Sequence, residues 1–334
     1  MKEERSLSLL QLMVNEGLVP SLEEEENRKT VIEKLKQIVV AWVKRVAWQR
    51  RLPKQDIAVT SATLLTYGSY GLGVHGSESD IDALCVGPYF ATMVNLDILN
   101  PVFLRDIDET GWKSLSRVLA NTQICRLVPD LKSMLRCVKF WAKRRGVYGN
   151  LNGFLGGIHL AILAAFVCQC DPFVGLSALI SHFFKKFAFW PWPRPVELQD
   201  ETLHPTLNPT ETRLYMPIRL PFSSYEYCHS NITKSTFYKI RTEFLRGHNL
   251  TKDLLKFDFD WHNVLEPFPY TKKYAWFLKI FLSASKQDEL GDWVGWIKSR
   301  FCCLLFKLEE VQGLCDPNPA EYIDVNIADP HVIF

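Results

Sequence analysis

Residues Tyr67 to Gly87 read YGSYGLGVHGSESDIDALCVG, a Gly-Ser turn set a short distance before two aspartates spaced Asp-x-Asp. Asp80 and Asp82 fall in an alternating run with Ile81, Ala83, Leu84, Cys85 and Val86. On a strand of period two, both carboxylates share one face. Gly68 lets the backbone come close to a phosphate, Ser69 offers a hydroxyl and an N–H, and Gly71, Gly73 and Gly76 keep the following segment tight. Mg²⁺ is held by one or two carboxylates together with substrate phosphates, so this layout suits a nucleoside triphosphate. The alternative is a surface hairpin with a solvated Asp-x-Asp turn. It accounts less well for a Gly-Ser turn ahead of a strand that reads as buried.

A second block, RCVKFWAKRRGVYGNLNGFLGG, runs from Arg136 to Gly157. Lys139 can place an ammonium on triphosphate oxygens, Tyr148 offers a hydroxyl and a ring, and Gly156-Gly157 admits a nucleotide where a helix begins. The competing reading makes Lys139 and Arg144 a solvated helix face and Tyr148 a packing residue, and spacing alone does not choose between them.

The motif GSYxLGVHGxxxDID resembles the signature of eukaryotic poly(A) polymerases within the nucleotidyltransferase superfamily. The second block resembles that family's central segment. Further similarity runs through RLVPD (Arg126 to Asp130), STFYKIRTEFLRGHN (Ser235 to Asn249) and DWVGWIKSRF (Asp292 to Phe301), while YGSYGLGVHGSESDID and DPNPAEY resemble most the plant, nuclear branch. The resemblance implies an α/β (α+β) multidomain chain. It would comprise a shortened nucleotidyltransferase palm over 21–126, a helical central domain over 1–20 and 127–222, and an RRM-like RNA-binding domain over 223–334. The implied reaction adds AMP from ATP to RNA 3′ ends. Asp80 and Asp82 would be the catalytic, metal-holding pair for Mg²⁺ or Mn²⁺, and Tyr67, Gly68, Ser69, Gly76, Lys139, Tyr148, Asn150, Gly157 and Ile158 would be the ATP contacts. The implied partners are the RNA 3′ end and cleavage and polyadenylation factors, with no membrane. The implied location is the nucleus; because the basic tail of nuclear members is absent after Phe334, the cytoplasm is the alternative. His75 reads as a loop residue. CCA-adding enzymes share the Gly-Ser and Asp pattern but not the second block.

One departure bears on activity. In the family, a long block carrying a third catalytic aspartate separates the DID strand from the segment resembling NLDILNPVFLRDIDE (Asn95 to Glu109). Here CVGPYFATM (Cys85 to Met93) runs almost directly into that segment, so the third carboxylate is expected to be missing and activity to be impaired. A hairpin with a four-residue loop at Pro88 to Ala91 would bring Asp97 opposite Asp82; Asp106 and Asp108 read as helix-start or turn residues. The alternative function is a catalytically dead homologue that binds nucleotide and RNA.

Composition sets the remaining bounds. With 334 residues and 47% hydrophobic content the chain is long enough for two or three domains. The net charge of +2 provides no global basic field, so nucleic-acid contact falls to local clusters such as Lys139, Lys143, Arg144 and Arg145. In the last third, Lys239, Arg241, Arg246, Lys298 and Arg300 with Phe237, Tyr238, Trp293 and Trp296 suit phosphate contact and stacking, against the alternative that the rings are core. Nine cysteines without a Cys-x-x-Cys pair indicate reduced thiols. Ser21-x-x-Glu24 predicts a capped helix with Val31, Leu35, Ile38 and Trp42 at helical spacing, preceded by the acidic run Glu23 to Glu26 as a solvated first turn. Further helices are expected at Lys132 to Arg144 and Asn152 to Cys168. A Pro-rich connection from Trp190 to Pro221 leads to mixed strands and helices.

Overall fold

The computed structural model describes residues 2–59, 62–77, 79–86, 109–129, 131–198, 214–221, 226–324, 327 and 329–334. They divide into two compact units, one of Gln11–Lys132 and one of Met1–Leu10 with Ser133–Phe334.

The chain opens with α1 (Lys2–Asn15). In the unit Gln11–Lys132 there follow α2 (Leu22–Gln49), α3 (Lys54–Val59), β1 (Thr63–Tyr67), the single-turn helix α4 (Gly68–Gly71), β2 (Asp82–Val86) and α5 (Glu109–Leu127). The predicted capping box opens α2. The Ser21 hydroxyl accepts from the Glu24 N–H at 3.1 Å, and the Ser21 N–H donates to Glu24 Oε2 at 2.7 Å, which satisfies two of the first-turn groups that lack intrahelical partners. Strands β1 and β2 pair antiparallel, with Tyr67 opposite Asp82 and Thr63 opposite Val86. Helices α2 and α5 pack against β1. Leu115, Val118, Leu119 and Ile124 of α5 are buried.

The helical spacing in α2 is borne out, but the stripe it names is not the buried one. Val31, Ile38 and Trp42 are 54%, 63% and 59% exposed, and Ile32 and Ala47 are buried instead. The described sheet is two strands wide, with neighbouring strands only about 4.8 Å apart. Such a surface takes up one stripe of a helix and leaves the adjacent one to solvent.

The second unit is mainly helical. It contains α6 (Lys132–Arg144), a 3₁₀ turn (Asn150–Asn152), α7 (Gly157–Cys170), α8 (Leu176–Ala188), α9 (Lys234–Thr251), α10 (Trp261–Leu265), α11 (Tyr270–Lys273), β3 (Phe281–Ser283), α12 (Gln287–Gln312) and β4 (His331–Ile333). β3 and β4 pair antiparallel. The helix expected from Asn152 begins at Gly157, because Gly149 (φ 125°) and Gly153 (φ 81°) take backbone angles that end in a turn rather than a helix. In the core, Trp141 stacks on Phe244 with centroids 5.5 Å apart and meets Phe184 edge-on at 5.0 Å. Gly247 on α9 faces the Phe184 ring so closely that any Cβ there would overlap it, which is how α8 and α9 approach one another. Arg145 and Glu243 form an ion pair beside this cluster, each side chain about 4% exposed. Arg5 of the opening helix donates to the carbonyls of Phe259 (3.0 Å) and Lys256 (2.8 Å). All nine cysteines are free thiols. Among the described residues no helix is long and apolar enough to cross a membrane.

Candidate functional site

The Gly-Ser turn lies where β1 ends. Gly68 has φ +65°, and the Asp82 carboxylate occupies the position that a Cβ on residue 68 would need. Glycine is required there twice, for its backbone angle and for the space that Asp82 fills. Asn121 of α5, 7% exposed, donates from Nδ2 to the Gly68 carbonyl at 3.0 Å and so fixes the turn from beneath. The Ser69 carbonyl accepts the Val74 N–H at 2.9 Å, which closes the turn on its far side.

The loop before Asp80 is tied down by residues outside the motif. Arg28 of α2 donates to the carbonyls of Gly76 (3.1 Å), Ser77 (2.8 Å) and Ser79 (2.7 Å). The Gly76 N–H donates to Ser79 Oγ at 2.9 Å. His75 lies in this loop, as its sequence position implies, and is buried there. Its Nε2 lies 3.0 Å from Glu25 Oε1 and its ring leans on Tyr70 at 4.8 Å. The acidic run is therefore not wholly a solvated turn, since Glu25 holds this loop.

Asp82 opens β2 and is half-buried, whereas Asp80 stands two residues earlier, exposed and outside the strand. The strand thus carries one of the two carboxylates instead of both. Asp97, Asp106 and Asp108 lie outside the described residues. Among the described residues no three His, Cys, Asp or Glu side chains converge as a metal site. Chemically the pair suits a hard cation such as Mg²⁺ or Mn²⁺. Its donors are carboxylate oxygens, and Asp82 is seated in a space that only glycine leaves open.

The other predicted residues belong to the second unit. The segment from Val147 to Leu155 doubles back on itself. The Gly149 N–H donates to the Leu155 carbonyl at 3.0 Å, the Leu155 N–H to Val147 at 3.3 Å, and Tyr148 and Leu155 form a parallel bridge. This fold-back sets the Tyr148 hydroxyl 3.5 Å from where a Cβ on Gly157 would sit. Gly157 is exposed at the start of α7, and Ile158 beside it is half-buried. Asn150 is anchored. Its Oδ1 accepts the Asn231 N–H at 3.3 Å, and its carbonyl accepts Asn231 Nδ2 at 3.2 Å. Lys139 is half-buried on α6, one turn before Lys143, whose ammonium lies 5.8 Å from the Tyr148 ring centroid. The structure therefore gathers Tyr67, Gly68, Ser69, Gly76, Asp80 and Asp82 in one unit, and Lys139, Tyr148, Asn150, Gly157 and Ile158 in the other.

Asn121, Arg28 and His159 were not found by sequence reading. A buried asparagine within an apolar helix run is the kind of signal that points to Asn121; nothing local marks Arg28. His159 accepts the Gly156 N–H on Nδ1 at 2.9 Å and caps α7 just ahead of Gly157. Burial, assisted by His229, pushes its pKa down to about 4. The folded chain keeps this imidazole neutral while an unfolded one protonates near the ordinary value. The stabilisation is therefore complete above about pH 6.5 and is lost as pH falls toward 4. Urea unfolding is expected to show this group contributing about 2 kcal/mol of stability loss between pH 7 and pH 5. A His159→Gln variant is expected to flatten that slope; an unchanged slope would contradict the assignment.

The cations offered for RNA contact separate into two groups. Arg145 is buried in its ion pair, and Lys239 is buried against Asp316 Oδ1 (2.5 Å) and the Tyr270 hydroxyl (2.5 Å). Burial pushes the Lys239 pKa down to about 8, with Asp316 pulling the other way. Arg246 binds the carbonyls of Asn263 and Val264 and the Glu266 carboxylate, a structural role. Arg241 and Arg300 remain exposed, Arg300 lying 4.3 Å over the exposed Trp296 ring, with Trp293 edge-on to that ring.

A profile of the poly(A) polymerase nucleotidyltransferase domain matches residues 2–95, and a profile of the poly(A) polymerase central domain matches residues 130–267. The chain is 53% identical over 389 residues to Nuclear poly(A) polymerase 3 of Arabidopsis thaliana, covering 99% of this chain and 76% of that protein. It is 33% identical to Nuclear poly(A) polymerase 1 of the same plant, covering 93% of this chain and 53% of that protein, and 31% identical to the poly(A) polymerase of Dictyostelium discoideum, covering 91% and 45%. The chain thus spans about half the length of these latter two relatives. The first alignment is longer than the 334-residue chain itself, so that relative carries residues this chain lacks. In fold, the chain is similar to the structure of Cid1 in complex with its short product ApU and to the structure of a cytoplasmic RNA terminal U-transferase. Each has a TM-score of 0.57 at 15% identity and covers 80% of this chain and 99% of that one. With a glycine turn seated on Asp82 in one unit, a Tyr148–Gly157 fold-back in the other, and 99% of this chain aligned to a relative at 53% identity, the chain belongs to the poly(A) polymerase family of nucleotidyltransferases.

Proposed function

We propose that the chain adds AMP from ATP to RNA 3′ ends without a template, releasing pyrophosphate. The observation that carries this reading is the packing of the Asp82 carboxylate directly against Gly68, which joins a phosphate-contact turn to a metal-holding acid within one unit. Support comes from the family profiles and from the relatives named poly(A) polymerase.

In this reading Asp80 and Asp82 hold Mg²⁺ or Mn²⁺. A divalent ion there supplies positive charge to the transferring phosphoryl group and favours the deprotonated 3′ oxygen. The protein's own contribution is positioning. Tyr67, Gly68, Ser69 and Gly76 form the turn that faces the phosphates, Lys139 and Tyr148 meet the triphosphate, and Asn150, Gly157 and Ile158 line the nucleotide pocket. The 3′ oxygen forms a bond to the α-phosphorus, the bond to pyrophosphate breaks, and the hydroxyl proton passes to solvent. Residues 21–126 serve as a shortened palm, 1–20 with 127–222 as the central domain, and 223–334 as an RNA-binding module of RRM-like type. Nuclear location accords with the names of the Arabidopsis relatives, and cleavage and polyadenylation factors are the partners this reading proposes.

A second reading, binding of ATP and RNA without catalysis, is favoured by the residues this chain lacks relative to its 53% identical relative. Incorporation of labelled ATP onto an oligo(A) primer with Mg²⁺ or Mn²⁺ separates the two. The polymerase reading expects extension that falls at least about 100-fold in Asp82→Ala. Equal background from both proteins supports binding alone.

A further inference from the structure

Asp82 is seated by strand β2, whereas Asp80 stands ahead of that strand on a loop that α2 grips through Arg28. Arg28 reaches the loop with two nitrogens. Its Nη1 donates to the Ser79 carbonyl at 2.7 Å, and its Nη2 donates to the carbonyls of Gly76 at 3.1 Å and Ser77 at 2.8 Å. We propose that Arg28 is a positioning residue: its guanidinium fork sets where the Asp80 carboxylate stands relative to Asp82, and through that the affinity of the site for a divalent cation. The inference rests on the metal-holding reading of Asp80 given above.

A peptide unit is planar, so fixing the Ser79 carbonyl also fixes the plane from which the Asp80 Cα departs. The guanidinium spaces its donors rigidly, which holds the Ser79 carbonyl at a set distance from those of Gly76 and Ser77. Within the loop the Ser79 N–H donates to the Gly76 carbonyl at 3.1 Å, and the Gly76 N–H donates to Ser79 Oγ at 2.9 Å. The loop therefore follows the arginine as one piece. Three carbonyl oxygens turned toward one place repel one another, and the positive charge between them offsets that repulsion.

The grip on the loop is tied to the strand that meets Asp82. Glu25, three residues before Arg28 and on the same side of α2, lies 3.0 Å from His75 Nε2 at the other end of the loop. Helix α2 packs against β1, and β1 runs into Gly68, the residue whose missing side chain leaves room for the Asp82 carboxylate. Asp82 also sits opposite Tyr67 in the β1–β2 ladder. Both carboxylates are thus referred to β1, Asp82 through strand pairing and Asp80 through Arg28. Residues that orient metal-holding groups without touching the ion are worth about 10–100-fold in metal affinity.

The test uses the full chain and a fluorescent α,β-methylene analogue of ATP, titrated once with Mn²⁺ and once with EDTA. The ratio of the two affinities reads the metal-dependent part of binding. Arg28→Ala is expected to lower this ratio about 10-fold while the affinity in EDTA stays unchanged. Arg28→Lys keeps the charge but replaces the fork by a point donor, and is expected to recover only part of the loss. Lys36→Met, which removes an exposed cation from the same helix, is expected to match the wild type. An unchanged ratio in Arg28→Ala overturns the proposal, and so does full recovery in Arg28→Lys. A fall of equal size with Mn²⁺ and with EDTA also overturns it, by making Arg28 a residue that only maintains the fold. Should urea unfolding show that Arg28→Ala does not fold, Arg28→Lys decides on the same ratio. A wild type whose affinity ignores Mn²⁺ overturns the metal-holding reading and this inference with it. A metal-dependent wild type with unaffected arginine variants overturns this inference alone, so the two failures are distinguishable.

Discussion

Gly68→Ala is expected to remove nearly as much nucleotide incorporation as Asp82→Ala. The new Cβ would occupy the space of the Asp82 carboxylate, and the φ of +65° would itself be strained for any side chain. Of the two effects the displacement matters more. The backbone strain costs about 1–2 kcal/mol, whereas moving a metal-holding carboxylate by about 1 Å costs on the order of 100-fold in rate. Gly291 on α12 provides the control. It has no atom within 4 Å of an added Cβ and no positive φ, so Gly291→Ala is expected to stay within about twofold of the wild type. Primer extension and Mg²⁺-dependent affinity for an ATP analogue are the two measurements, so the prediction also holds for a chain that binds without turnover. Gly68→Ala and Gly291→Ala behaving alike would sink the claim that the turn is built around Asp82.

Glu243→Ala is expected to be the more damaging change to stability. It would strip the Arg145 guanidinium of the carboxylate that accepts from Nε at 2.7 Å and from Nη2 at 3.1 Å. The carbonyls of Glu266 and Pro267 would still accept from Nη1, and the Glu266 carboxylate would remain 3.7 Å from it, but that acid is 55% exposed and already holds Arg246 at 2.6 Å, so it replaces the buried partner only in part. Removing one partner of a buried pair leaves an uncompensated ion, at a cost of about 3–5 kcal/mol, while replacing both by apolar residues of similar volume is often neutral. Urea unfolding of Glu243→Ala, Arg145→Met and the double variant Arg145→Met with Glu243→Leu checks this. The double variant is expected to recover most of the loss. A single-variant loss below about 1 kcal/mol would show that water reaches this pair.

Local chemistry was readable without coordinates. The Ser21 capping box, helix α6 from Lys132 to Arg144, and the Gly-Ser turn ahead of the Asp pair all depend on near neighbours in the chain, and each is found where the residues place it. Burial was less legible, because it is set by what lies opposite. Val31, Ile38 and Trp42 have helical spacing and still face solvent, since β1 takes up a different stripe of α2. Arg145 and Lys239 look like any basic residue in a cluster. Only Glu243 and Asp316, 98 and 77 positions away, turn them into core groups.

The order of residues alone determined the family, the helical segments and the identity of the acids and glycines, because those depend on spacing of one to four positions and on the chemistry of single side chains. Tertiary structure decided why Gly68 must be glycine, which cations reach solvent, and that Asn121 holds the Gly68 turn and Arg28 the loop before Asp80. The reason is distance along the chain: Asn121 meets Gly68 across 53 positions and Arg28 meets Ser79 across 51, separations that no local pattern encodes and only packing can close.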